Sequence, residues 1–147
     1  MYLKIKIIDS SLPIPKYAHD SDAGLDLYST IDCILKPFER KLIPTGIKIA
    51  IPQGYAGFIQ PRSGLAINHG ISMVNTPGLI DSSYRGEIKA IVINLDPVSS
   101  FKIEKGDKIC QLVFLKVEHA NFIFQEDLDE TDRGDRGFGS TGINYDK

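Results

Sequence analysis

The sequence predicts an all-β domain, and three observations carry that prediction. Apolar residues recur at a period of two in several short segments. Gly and Pro breakers separate those segments. No long stretch has the periodicity of an amphipathic helix. Many short strands at close spacing fit a sandwich, a barrel or a jelly roll.

The first segment, "LKIKII", sets Leu3, Ile5 and Ile7 against Lys4 and Lys6. That alternation predicts a strand with one apolar face. "GIKIAIP" repeats the device with Ile47, Ile49 and Ile51. "SGLAIN", Ser63 to Asn68, fits a short helical turn, with Ser63 as its cap. "EIKAIVINL", Glu87 to Leu95, is rich in β-branched residues, which suit a pleated surface. "KICQLVFLKV", Lys108 to Val117, is a continuous apolar run and predicts a strand buried on both faces. Between these lie Pro37, Pro44, Pro52-Gln53-Gly54, Pro77-Gly78 and Lys105-Gly106-Asp107, all turn formers.

Composition narrows the class further. The chain has 147 residues, enough for one domain with a real core. Apolar residues make up 42% and charged residues 24%, the balance of a globular protein rather than a disordered one. A net charge of -2 leaves no global basic field for nucleic acid, so any anion site must be local. Cys33 and Cys110 sit in apolar runs with no metal-type spacing, which predicts buried free thiols in a reducing compartment. The N-terminus "MYLKIKIIDS" is too short and charged for a signal peptide, and no apolar run approaches membrane-spanning length. The expected location is the cytoplasm, with no membrane partner.

Beyond Phe124 the character changes. "QEDLDETDRGDRGFGSTGINYDK" is acidic, glycine-rich and nearly free of branched aliphatics. It cannot bury enough surface to offset its own ordering entropy. The expected division is a folded domain over residues 1–124 and a mobile arm over 125–147.

Several chemistries are excluded by what the chain lacks. His19, His69 and His119 are isolated, and there is no HExxH or CxxC, so a protein-built zinc site is not expected. The "GSTG" of the arm lacks the Lys of a P-loop. Four polar clusters remain. They are "SDAGLDLYS" from Ser21, "PRSGLA" from Pro61, "NTPGLIDSSYRGEI" from Asn75, and "KGDKICQL", where Gln111 interrupts an apolar run. Taken singly, each is turn chemistry. Taken with the arm, they hold phosphate-gripping groups: Arg62 with the Ser63 hydroxyl and the amides near Gly64, and further arginines, glycines and hydroxyls in "RGDRGFGSTG". The single Phe138 there suits stacking on a base.

These five segments, in this order, resemble the trimeric dUTPases, over nearly the whole chain. Arg136 stands where that family usually has glycine. The resemblance implies a distorted jelly-roll subunit in a homotrimer with shared active sites, the first, second and fourth clusters coming from one chain, the Asn75 segment from a second and the arm from the third, with dUTP hydrolysed to dUMP and pyrophosphate. That reaction limits uracil incorporation into DNA and supplies dUMP for dTMP synthesis. By the same resemblance, Asp81 activates the attacking water. Asn75 and main-chain groups near Leu79, Ile80 and Lys89 read uracil. Tyr84 packs under the deoxyribose, and Phe138 stacks over the base. Arg62, Ser63, Gly64, Gln111, Arg133, Gly139 and Ser140 hold the triphosphate. Mg²⁺ is implied, carried mainly by the phosphates, with Asp26 as a water-mediated contact or, equally, as a structural partner for an arginine.

Two alternatives belong beside this. The dCTP deaminase branch of the same superfamily uses a glutamate on the strand after the Asn75 hairpin, where this chain has Ile91. A non-catalytic nucleotide-binding regulator on the same fold would be expected to lose Asp81 or the arm aromatic, and both are present.

Overall fold

Alternation decides which side each strand buries, and the pairing of strands decides where the site sits. A computed structural model describes residues 1–137. Its strands are β1 (Lys4–Ile7), β2 (Leu25–Tyr28), β3 (Cys33–Leu35), β4 (Arg40–Pro44), β5 (Ile47–Ala50) and β6 (Tyr55–Gln60). The helix α1 (Ser63–His69) follows, then β7 (Ile71–Met73), β8 (Gly78–Ile80), β9 (Lys89–Asn94), β10 (Phe101–Ile103) and β11 (Lys108–Lys116). The class is all-β, as predicted.

Every pairing among the described residues is antiparallel. Four strands form the sheet β2-β11-β6-β8, and three form β4-β9-β7. β1 pairs with β5, and β3 with β10. The core draws alternate residues from each: Leu25 and Leu27 of β2, Ile47 and Ile49 of β5, Ala90 and Val92 of β9, and Leu112 of β11. Fully burying one such side chain contributes roughly 1.5–3 kcal/mol. The one fully buried amide in β9, Asn94, is satisfied. Its Nδ2 donates to the carbonyls of Leu35 and Ser99, and its Oδ1 accepts from Asp96 N–H.

Four expectations need correction. β11 is not buried on both faces. Ile109 and Cys110 are buried side by side because a β-bulge shifts the register there. Past the bulge the strand alternates, and Leu115 is 51% exposed. Ser63 does not cap α1. Arg62 is the N-cap residue, extended at φ -92 and ψ 130, and no side chain closes the cap. Its guanidinium reaches toward Asp26, and the helix begins at Ser63, one residue earlier than a Ser63 cap would place it. Ile5 remains 40% exposed, since β1 has only β5 beside it. Cys33 is half-buried rather than buried, on a strand paired only with β10. No helix among the described residues is long and apolar enough to cross a membrane. Residues 125–137 are exposed up to Arg136 and form no strand or helix.

Candidate active site

Most of the predicted site residues fall into two separate cavities, one at the β2-β11 end of the four-stranded sheet and one where β8 faces strands of the three-stranded sheet. The first is a cradle built where β2, β11 and the end of β6 meet. The bulge in β11 is what places its parts. Before it, Lys108 pairs with Tyr28; after it, Gln111 stands across from Asp26. Without that one-residue shift, Gln111 would face Leu25. Bulges commonly re-aim side chains in this way beside functional sites.

Asp26, Arg62, Ser63, Gly64 and Gln111 line this cradle together, in a cavity of about 470 Å³. Arg62 Nε lies 3.0 Å from Asp26 Oδ1, and its Nη1 donates to the Lys108 carbonyl at 3.1 Å. Lys108 Nζ takes the other oxygen, Asp26 Oδ2, at 2.8 Å. That hydrogen bond holds the Lys108 pKa above its usual value. Arg62 is therefore fixed in orientation while its Nη2 N–H groups remain available for an anion. Gln111 Nε2 donates to the Pro61 carbonyl at 3.1 Å, which pins that amide at the helix entrance. Gly24 makes room for it, because a Cβ there would lie 2.3 Å from Gln111 Oε1.

The second cavity, of about 600 Å³, surrounds the connection from β8 into β9; the expected hairpin needs correction, because the two strands lie in different sheets and do not pair, and hairpin cavity names only this place in the chain. Asn75, Leu79, Ile80, Asp81, Tyr84 and Lys89 all line it. Its volume lies within the range of small-molecule sites. Asn75 folds over Gly78, whose added Cβ would come 3.2 Å from Asn75 Nδ2. Tyr84 is set by a turn in which its N–H donates to the Asp81 carbonyl at 3.1 Å. Its hydroxyl donates to the Glu87 carbonyl at 3.0 Å. The ring crosses Gly86, where a Cβ would fall 2.2 Å from the Tyr84 oxygen.

Two carboxylates line the hairpin cavity, and their situations differ. Glu87 accepts the Gly46 N–H at 3.0 Å and lies 3.9 Å from Lys89 Nζ. Asp81 is exposed, and no ion pair among the described residues reaches it. An unpaired carboxylate facing a cavity is free to accept a proton from water. Ile91 also lines this cavity and has no proton to move. Cys110 lies beside the cradle floor, but burial pushes its thiol up to about 12, so it is no nucleophile.

Sequence reasoning missed His19, which lines the cradle, and gave no individual role to Asp22 and Gly24 of the cradle or to Gly78, Gly86 and Glu87 of the hairpin cavity, although all five lie in the polar clusters. His19 and Asp22 form a tight turn, with Asp22 Oδ2 accepting from His19 N–H at 2.9 Å. Their place just before the "AGLDLYS" segment was the available signal. Arg133 lines neither cavity, and its Nε donates to the Arg136 carbonyl at 2.9 Å. Phe138, Gly139 and Ser140 lie outside the described residues. Among the described residues no three His, Cys, Asp or Glu converge on a metal position. Both oxygens of Asp26 are already engaged by cations.

Comparison with known proteins meets this geometry. The family model for dUTPase matches residues 10–142. The deoxyuridine 5'-triphosphate nucleotidohydrolase of Corynebacterium glutamicum is 53% identical over 140 residues, covering 95% of this chain and 94% of that protein. The Thermobifida fusca enzyme of the same name is 51% identical over 140 residues, covering 95% and 78%. Among solved structures, the dUTPase of Staphylococcus bacteriophage 80alpha with dUpNHpp superposes with a TM-score of 0.89 at 27% identity. That match covers 97% of this chain and 99% of the phage chain.

Proposed function

This chain belongs to the dUTPase family, and from that premise we propose how its two cavities serve one reaction. The activity is hydrolysis of dUTP to dUMP and pyrophosphate. The hairpin cavity takes the deoxyuridine, and the cradle takes the triphosphate. Asp81 removes a proton from a water molecule held in line with the α-phosphorus. The water oxygen bonds to that phosphorus, the bond to the bridging oxygen breaks, and pyrophosphate leaves with the electron pair. Arg62, Ser63, Gly64 and Gln111 hold phosphate oxygens, and Arg62 offsets charge that develops on them.

The observation that carries this reading is the unpaired Asp81 carboxylate beside Tyr84 and Asn75 in a nucleoside-sized cavity. Asn75 and the main chain at Leu79, Ile80 and Lys89 present the polar groups for the uracil edge. The hairpin leaves no room for the 5-methyl of thymine. Tyr84, fixed over Gly86, disfavours a 2′-hydroxyl.

dUTPases generally use Mg²⁺. The donor set here suits an ion held by phosphate oxygens and water rather than by a protein cage. Asp26 would reach such an ion only through water, since both its oxygens bind cations. When bound, the ion neutralises charge on the triphosphate.

One substrate must touch both cavities, yet the two share no lining residue. This supports a homotrimer in which cradle and hairpin meet across subunits. Arg133, Phe138, Gly139 and Ser140 would then close the site from a third chain's arm, residues 125–147. Pyrophosphate release across dUTP, dTTP, UTP and dCTP tests the substrate reading. The expected result is strong preference for dUTP; comparable kcat/KM on dTTP or UTP would remove the assigned roles of the hairpin and Tyr84. Ammonia release from dCTP is expected to be absent.

A further inference from the structure

The sheet β1–β5 carries a concentration of positive charge that the reaction does not use. Lys4 and Lys6 lie on one side of β1. Lys6 stands directly across from Lys48 of β5, and Lys4 across from Ala50. Like charges placed directly opposite weaken a ladder. Arg85 joins them, and the group lines a cavity of about 280 Å³ together with Ala50, which shares the lysine face, and the backbone of Ile5 and Ile49, whose side chains alternate to the other face. Among the described residues, none of these four cations pairs with a carboxylate. Arg85 is held in place by the carbonyls of Ser82 and Tyr84, at 2.6 and 2.7 Å from its Nη1. In a chain of net charge -2, such a cluster is a local anion-seeking surface.

The chain also holds a matching anion. Glu126, Asp127, Asp129, Glu130 and Asp132 put five carboxylates into seven residues, with Leu128 among them. All are exposed, Leu128 by 85%, and none meets the cationic group of its own chain. Five carboxylates in seven residues match a face of four unpaired cations in charge. We propose that residues 126–132 of a neighbouring copy dock on the Lys4, Lys6, Lys48 and Arg85 surface. The proposal rests on the reading that the arm crosses between subunits. Arg85 sits between Tyr84 and Gly86, which both line the hairpin cavity. A segment docked against Arg85 delivers Arg133 and the residues after it to that cavity. The patch thus acts as an electrostatic guide for arm closure.

The test uses the full-length protein and does not depend on hydrolysis. Normal and ¹⁵N-labelled chains are unfolded, mixed, refolded and treated with a carbodiimide, which joins touching lysines and carboxylates. Mass spectrometry is expected to find links between Lys4, Lys6 or Lys48 and residues 126–132, joining chains of different label. They should fade in about 0.5 M salt, where the Debye length is only a few ångströms. The variant Lys6→Glu/Lys48→Glu should lose the links and raise KM for dUTP about threefold at unchanged kcat, as expected for a few exposed ion pairs. Adding Asp127→Lys/Asp129→Lys should restore both. An intact trimer whose acidic segment links only to other lysines, or only within one chain, overturns the proposal and leaves the proposed catalytic reading standing. A monomer by sedimentation overturns both the proposal and the shared site. Salt-sensitive retention of a DNA duplex, lost in the lysine variant and without the expected links, assigns the patch to nucleic acid instead.

Discussion

The cradle and the hairpin cavity each contain an aspartate, and the two aspartates live in opposite surroundings. Asp26 is clamped by Arg62 at 3.0 Å and Lys108 at 2.8 Å, on a strand whose neighbours are fixed by a ladder. Asp81 follows the last residue of β8, exposed, with no cation near enough to pair. The same side chain therefore has two uses. In the cradle it builds, holding two cations beside the cavity proposed for the phosphates. In the hairpin it stays available, ready to take a proton. A carboxylate that is already satisfied makes a poor base, while one facing a cavity without a partner is suited to the task.

The sharpest break in this comparison is Asp81→Asn. The amide keeps the size and loses the base, so turnover should fall about 10²–10⁴-fold while dUTP binding and melting temperature hold. Turnover near that of the parent protein would move the base elsewhere. A second test asks whether the two cavities, with the arm, join across chains. Full-length Asp81→Ala and a chain truncated before Arg133 are each expected to be inactive. Unfolded, mixed equally and refolded at random, about three quarters of trimers are mixed, and each gains one site of three with both Asp81 and an arm. Activity should recover to about a quarter of the parent value. Recovery that stays at background, with mixed trimers confirmed by mass, rules out sharing.

Smaller steps distinguish the two cavities by glycine. Gly86→Ala pushes on Tyr84, and Gly24→Ala pushes on Gln111. Each clash costs roughly 1–3 kcal/mol unless the side chain swings away. The first should raise KM about tenfold and relax discrimination against UTP. The second should raise KM by a similar factor and leave discrimination unchanged. Steady-state kinetics on both nucleotides separates them, and identical profiles would erase the division of labour. The smallest effect belongs to the clamp. The Lys108 pKa is raised in the fold by its bond to Asp26. Its contribution is thus complete below the unfolded value, about 10.4, and lost as pH rises through the folded one. Lys108→Met should flatten part of the alkaline decline in melting temperature and leave the neutral-to-acid side unchanged. A difference curve that is flat from pH 9 to 11.5 would mean the clamp is mechanically idle.

Much of this was legible beforehand, for identifiable reasons. The strands β5 and β9 alternate cleanly, so the side facing the core follows from the residues alone, whereas β2 lay inside a segment read as turn chemistry. Asp81, Arg62 and Gln111 stand in segments whose order carries the family pattern. Spacing along the chain does not show the partition into two cavities, which follows the sheet order β2-β11-β6-β8; only the resemblance to a trimer with shared sites implied it. Gly24 and Gly86 looked like turn formers, yet what they provide is space for Gln111 and Tyr84. Glu87 stood in the sequence only as the head of a predicted strand, and its partner, the Gly46 N–H, lies 41 residues away. Local sequence reports periodicity and turn chemistry; it does not report which loops become neighbours.

The bulge at Ile109 works as a phase slip in a repeating signal. Residues of β11 on either side of it obey the same two-residue rhythm but start from different beats. Hydropathy averaged across the slip blurs into a uniform apolar run, as "KICQLVF" does. Deleting the extra residue between Lys108 and Gln111 would bring the beats back into step and leave Gln111 across from Asp26 on a regular ladder. Flattening the slip with that residue kept would instead set Gln111 across from Leu25, toward the core, and turn Leu112 toward the cradle. What the cradle needs here is a phase rather than a length, while the exposed stretch after Lys116 carries no such clock.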